Sequence, residues 1–243
     1  MTEITAELQL DIRFFGGLEL SNRWGRVSEN ASRPALTWLF LKYLFINRGV
    51  PVDMVELLDI LWPGQEEASD AWFRVRLRRL REALIPLRLD GRNGLVQYSM
   101  GKYFLNPDCE ISSDEQRFNE LMELIRATPL EEPQGLDLCI EALDIFRGEY
   151  MGERNLAPWL EPLREFYHRE FVSLAHSTLS RTMILGDGRA MELLCERACA
   201  IAPEAESLHK AVVGYLVDHK REVELIKYIS RLSRSGHAAW LGE

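Results

Sequence analysis

Five arginines crowd into the sixteen residues from Ser69 to Leu84, SDAWFRVRLRRLREAL, in a chain whose formal net charge is −9. A guanidinium keeps its charge at any physiological pH, and its planar fork of N–H donors fits phosphate oxygens and the edge of guanine. Phe73, Leu77, Leu80 and Leu84 recur between the arginines at helical spacing and form one apolar stripe. On a helical wheel Arg74, Arg78 and Arg81 flank that stripe on one side and Arg76 on the other, while Trp72 and Arg79 point more nearly outward. A helix that buries one seam and fans guanidinium groups around it can dock on a polyanion, with double-stranded DNA foremost. An amphipathic helix with a solvated basic face produces the same local pattern, so the surrounding elements have to decide.

Other chemistry is sparse. Cys195 and Cys199 stand four apart on an expected helix, but two further ligands at zinc-site spacing do not follow, and small buried hydrophobes are the better reading. The five histidines make no HExxH or comparable array. The sequence holds no GxxxxGK[ST] phosphate loop, no GxSxG elbow, and no pair of carboxylates set apart from ordinary helix solvation. Gly186-Asp187-Gly188 reads as a turn between helices. The expectation is a non-enzyme with no metal and no cofactor.

Composition is that of a globular protein long enough for two small domains. The longest apolar run, LTWLFLKYLFI from Leu36, is too short for a membrane span and carries Lys42. The start, MTEITAELQL, lacks the basic and apolar regions of a signal peptide, which points to a cytoplasmic protein. Charge is unevenly placed. Through Asn106 there are 14 Lys and Arg against 13 Asp and Glu, and from Pro107 onward 15 against 25. The first part tolerates a polyanion and the second repels one, which suggests two domains, 1–106 and 107–243.

The elements that must position the arginines can be read in order. Leu8, Leu10, Ile12 and Phe14 alternate as a strand before Gly16-Gly17, and short strands are expected near Leu18–Leu20 and Arg26–Val27. Pro34 opens a helix whose core stripe is Leu36, Leu39, Phe40, Tyr43 and Leu44, ended by Gly49. Val52-Asp53 opens a second helix with Val55, Leu58 and Leu61 inward, and Trp62-Pro63-Gly64 stops it. The arginine-rich helix comes third. Leu95–Tyr98 and Tyr103–Leu105 then form a hairpin through Ser99–Lys102. A small sheet, three helices and a hairpin, in that order, make a winged helix with the third helix in the recognition position.

These residues resemble the OmpR-type winged helix of SARP-type transcriptional regulators. The resemblance rests on Leu61-Trp62-Pro63, on Arg78-Arg79-Leu80-Arg81-Glu82-Ala83-Leu84, and on the hairpin Gly101-Lys102-Tyr103-Phe104-Leu105. The remainder reads as helices: a capping box at Ser112 and Glu115 before Phe118–Ile125, a break with two prolines at 128–135, then Leu136–Phe146, Pro158–Leu185, Ala190–Ile201, Glu204–Asp218 and Glu222–Leu232. It resembles the bacterial transcriptional activation domain of SARP-type proteins through Glu141–Met151, Trp159, Gly186-Asp187 and Glu196–His209. The fold expected is therefore an α+β winged helix-turn-helix domain followed by an all-α domain of tetratricopeptide-like helical hairpins.

The resemblance implies a sequence-specific DNA-binding regulator, an activator that also contacts RNA polymerase through the acidic loop 64–68. The helical domain is expected to form a homodimer or bind another protein. By analogy with the family helix, Ala71, Trp72 and Val75 face the groove. Arg78 is the first candidate for reading a base and Arg74 the second. Arg76, Arg79 and Arg81 serve phosphates or packing, and Arg92, Asn93, Lys102 and Tyr103 are hairpin contacts. Trp72 and Ala71 depart from the polar residues common at these positions in the family. A helical-repeat adaptor whose winged helix no longer binds DNA is the alternative.

Overall fold

The structure is a computed structural model that describes residues 9–29, 35–61, 70–90, 94–152 and 157–236. The described residues are mostly helical, with two small sheets. They fall into two compact units, Met1–Asp114 with Met151–Pro162, and Glu115–Tyr150 with Leu163–Glu243. The first unit thus runs past residue 106, where the charge balance changes.

In the first unit, β1 (Gln9–Arg13), β2 (Glu19–Asn22) and β3 (Gly25–Ser28) form an antiparallel meander, and β7 (Glu110–Ser113) adds to β1 in parallel, giving the order β3-β2-β1-β7. Leu10 and Ile12 face the core while Gln9 and Asp11 are exposed, the alternation of a half-buried strand. Ser112 is therefore a strand residue opposite Asp11, not a helix cap as its spacing to Glu115 suggested. Asp114 takes over that region, its carboxylate accepting from the backbone N–H groups of Phe14 at 2.8 Å and Phe15 at 3.3 Å.

The first helix, α1 (Ala35–Ile46), is buried all round from Thr37 to Phe45 and not along a single stripe, the signature of a helix enclosed by its neighbours. Lys42 lies inside it. Its Nζ sits 2.5 Å from a Glu29 oxygen and donates to the Met151 carbonyl at 2.6 Å. A buried ammonium is tolerated only when paired and hydrogen-bonded in this way.

Val52-Asp53, expected to open the second helix, instead forms a short strand, β4, paired antiparallel with β6 (Lys102–Leu105). The helix α2 (Met54–Leu61) begins after it, with the Asp53 carboxylate accepting from the Glu56 N–H at 2.8 Å. Leu57 and Leu61 face inward, Leu58, expected in the core, is only half-buried, and Val55, also expected there, is 66% exposed. Next come α3 (Asp70–Leu84), a turn of 3-10 helix at Ile85–Leu87, and the hairpin β5 (Val96–Ser99) and β6 (Lys102–Leu105). Met100 and Gly101 at the hairpin tip have φ of 52° and 80°, the left-handed pair that a tight two-residue turn demands.

The second unit is helical: α4 (Asp114–Ala127, from its second residue), α5 (Pro133–Ile145), most of α6 (Glu161–Leu185), α7 (Gly188–Ile201), α8 (Glu206–Asp218) and α9 (Glu222–Arg234). Helix α7 packs on α5, α8 and α9. Arg181, 1% exposed, donates to the carbonyls of Ile125, Thr128 and Pro129, satisfying acceptors that the end of α4 leaves open. Gly135 packs closely against it: a Cβ there would lie 2.2 Å from the Arg181 guanidinium, so a larger residue would displace that group from the carbonyls it holds. The Gly186-Asp187-Gly188 stretch is the expected helix–helix turn: Gly186 takes φ +75°, and Asp187 caps α7 by accepting from the N–H groups of Arg189 and Ala190. His209, fully buried, joins the Ala202 carbonyl to the Tyr228 hydroxyl at 2.8 and 2.5 Å.

Candidate nucleic-acid interface

The position of α3 follows from its apolar stripe. Phe73, Leu77, Leu80 and Leu84 are all buried, as their spacing predicts. At the N-terminal end Phe73 meets Phe40 of α1 edge to face at 5.3 Å and Tyr103 of β6 at 5.1 Å, and Tyr103 in turn packs on Tyr98 at 4.7 Å. Aromatic pairs in these geometries add to plain area burial, so one cluster ties the helix to both α1 and the hairpin. At the other end the Asn22 side-chain amide donates to the Leu87 carbonyl at 2.9 Å. Gly25 sits so close that a Cβ would come within 2.9 Å of the Pro86 carbonyl oxygen. Held at both ends, α3 leaves Ala71, Arg74, Val75, Arg78, Arg79 and Arg81 exposed.

The exposed arginines are not equivalent. Arg78 pairs with Glu82 one turn on, at 3.2 Å, with both side chains well exposed. A solvated i,i+4 pair of this kind contributes little and is easily exchanged for another anion. Arg74 lines a cleft of about 990 Å³ between α2, the start of α3 and the hairpin, whose wall carries Asp53, Glu56 and Asp59. The Glu56 carboxylate accepts from the Tyr43 hydroxyl at 3.0 Å, and burial followed by this bond raises the pKa of that tyrosine. Arg76 is half-buried, and burial followed by the nearby Arg79 charge lowers its pKa. It is a packing residue more than a free cation.

Trp72 falls in the first turn of α3, and its side chain lies outside the described residues, as do Arg92, Asn93, Trp62, Pro63 and the acidic loop 64–68. Lys102 is exposed at the start of β6. Tyr103, expected as a hairpin contact, is instead 7% exposed and belongs to the aromatic cluster. The alternation of β6 sends it inward, and Tyr98 (58% exposed) and Met100 (98% exposed) present the hairpin surface instead. Sequence reasoning passed over both, although a tight turn at 100–101 should have placed them outward. It also passed over Arg88, Arg23 and Trp24, whose proximity depends on the hairpin β2–β3 meeting the end of α3. Among the described residues no three His, Cys, Asp or Glu side chains converge to hold a metal, and no helix is long and apolar enough to cross a membrane.

No family model and no curated protein matches the sequence. A solved structure does, that of Mycobacterium tuberculosis EmbR in complex with a low-affinity phosphopeptide, at a TM-score of 0.63 and 20% identity over 93% of this chain. The fold is similar to that of EmbR. The match covers 59% of the EmbR chain. At 20% identity the likeness to EmbR speaks for the arrangement of elements and not for any shared ligand.

Proposed function

We propose that this chain is a DNA-binding transcriptional regulator whose helix α3 lies in the major groove. The observation that carries this reading is the exposed row Arg74, Arg78 and Arg81 on a helix whose opposite stripe is buried and whose two ends are fixed. The major groove admits an α-helix, and arginine is the side chain that most often reads guanine there. The β5–β6 hairpin, with Lys102 and Tyr98 exposed, reaches the flanking backbone as a wing would. Similarity in fold to EmbR, a SARP-family regulator, supports the OmpR-type winged helix for the first unit and helical hairpins of the activation-domain kind for the second. Trp72, Arg79 and Arg92 complete the proposed contact set, and Arg76 is assigned to packing. Contact with RNA polymerase, and activation over repression, rest on the family resemblance alone. The second unit supplies the surface for a homodimer or another protein, and Val217, Val223 and Ile226, each more than half exposed on α8 and α9, are suited to it.

Titration of the protein with duplex from its own promoter region tests the reading. Binding should weaken with salt at a slope of log K against log[salt] of roughly −3 to −5, for three to five phosphate contacts. A flat salt dependence, or no preference over random duplex, would sink it. A second reading, a protein adaptor built on a winged helix that has lost DNA, is favoured by the three carboxylates beside Arg74. That reading predicts the flat line.

A further inference from the structure

Beyond the last turn of α3 two more arginines converge on one indole. The Arg88 guanidinium carbon lies 3.7 Å from the centre of the Trp24 ring and that of Arg23 lies 4.5 Å from it. Trp24 is at the tip of the β2–β3 hairpin and is 39% exposed, and Arg88 is exposed as well. Two features show that this meeting is built and not incidental. The hairpin tip is fastened to the helix end, through the bond from Asn22 to the Leu87 carbonyl and the close approach of Gly25 to Pro86. Arg88 itself caps the 3-10 turn in the left-handed region, with φ 57° and ψ 33°. That conformation is strained for an L-residue and natural for glycine or asparagine. An arginine held there at the expense of backbone comfort points to a use for its side chain.

Geometry suggests the use. Arg88 follows Arg74 by fourteen residues, which at helical rise is about 20 Å, whereas the major groove is only about 12 Å wide. With the start of α3 against base edges, a far end about 20 Å away lies beyond the width of the groove, within reach of the flanking sugar-phosphate backbone. Stacking on an indole holds a guanidinium flat, and the exposed Arg88 can meet an in-plane anion along its N–H edge. Two like charges gathered at one ring also gain from an anion between them.

We infer that Arg23, Trp24 and Arg88 form a phosphate anchor that fixes the far end of α3 on duplex DNA. The inference rests on the DNA-binding reading above and adds a contact outside the recognition helix and the hairpin.

Its test uses the whole chain and a mixed-sequence duplex of about 30 base pairs, with affinity measured across salt concentrations. Arg88→Gly removes the guanidinium while easing the backbone, and Arg88→Asn does the same with a side chain that tolerates the left-handed region. Both should melt near the wild-type temperature. Both should shift the salt slope toward zero by about 0.9, the worth of one phosphate contact, with affinity at about 50 mM salt reduced roughly 3- to 10-fold. Wild-type binding with an unchanged slope in both variants would overturn the anchor and leave the DNA-binding reading standing. Absence of salt-dependent binding by the wild type would overturn both together.

Discussion

Arg78 and Arg76, two residues apart, show how little charge alone says about a role. Arg78 stands in solvent and pairs with Glu82 at 3.2 Å, whereas Arg76 is half-buried with its pKa lowered by that burial. If Arg78 reads a base, Arg78→Ala should cost about 1–3 kcal/mol on the cognate duplex and relax preference at one position. A uniform loss across sequences would reassign it to phosphate. Comparison of specific and random duplex by fluorescence anisotropy distinguishes the two. The spacing of the sequence placed both arginines beside the stripe, and only packing separated them. Burial depends on what α1 and the hairpin bring to each side of α3, and a helical wheel contains neither.

At the scale of elements, the apolar stripe of α3 and the helices after residue 114 were legible because their 3.6-residue period is sustained over several turns. The start of α2 was not. Val52-Asp53 pairs with Tyr103 and Lys102 some fifty positions later, and a two-residue strand leaves no periodic trace. Its consequence reaches the candidate site. Starting at Met54, α2 sets Glu56 and Asp59 on the wall of the cleft that Arg74 lines, so a basic helix lies beside an acidic one. On the DNA-binding reading those carboxylates oppose the approach of phosphate. Asp53 caps α2 and Glu56 accepts from Tyr43, so Asp59 is the carboxylate to remove with least disturbance. Asp59→Asn should tighten binding to duplex by about 2- to 5-fold at low salt, the gain shrinking as salt screens the interaction. Unchanged or weaker binding would place α2 away from the duplex and favour a protein ligand for the cleft.

For the whole molecule the four cysteines, all free, join the two units in one expected response to pH. Burial pushes the Cys109 thiol of the first unit up to about 11. In the second unit burial raises Cys139, carries Cys199 to about 11, and carries Cys195 to about 12 with the Cys199 charge adding to the effect. An unfolded cysteine ionises near 8.5, so the folded chain binds more protons above that value. The stabilisation is therefore fully present below about pH 8.5 and is lost as pH rises through about 11–12. Each such thiol contributes a loss of order 1 kcal/mol per pH unit within that window. The second unit holds three of the four, so it should lose stability more steeply and become the first to unfold. Tyr228, whose pKa is raised chiefly by burial, adds in the same direction. The contribution of the thiols is isolated by comparison with the double variant Cys195→Ala, Cys199→Ala, whose urea midpoint, which moves by about 0.3–1 M per kcal/mol, should fall less between about pH 8 and about pH 10.5 than that of the wild type. Parallel midpoint curves for the two proteins would show that these thiols ionise as easily folded as unfolded, and that the helices around them open to water.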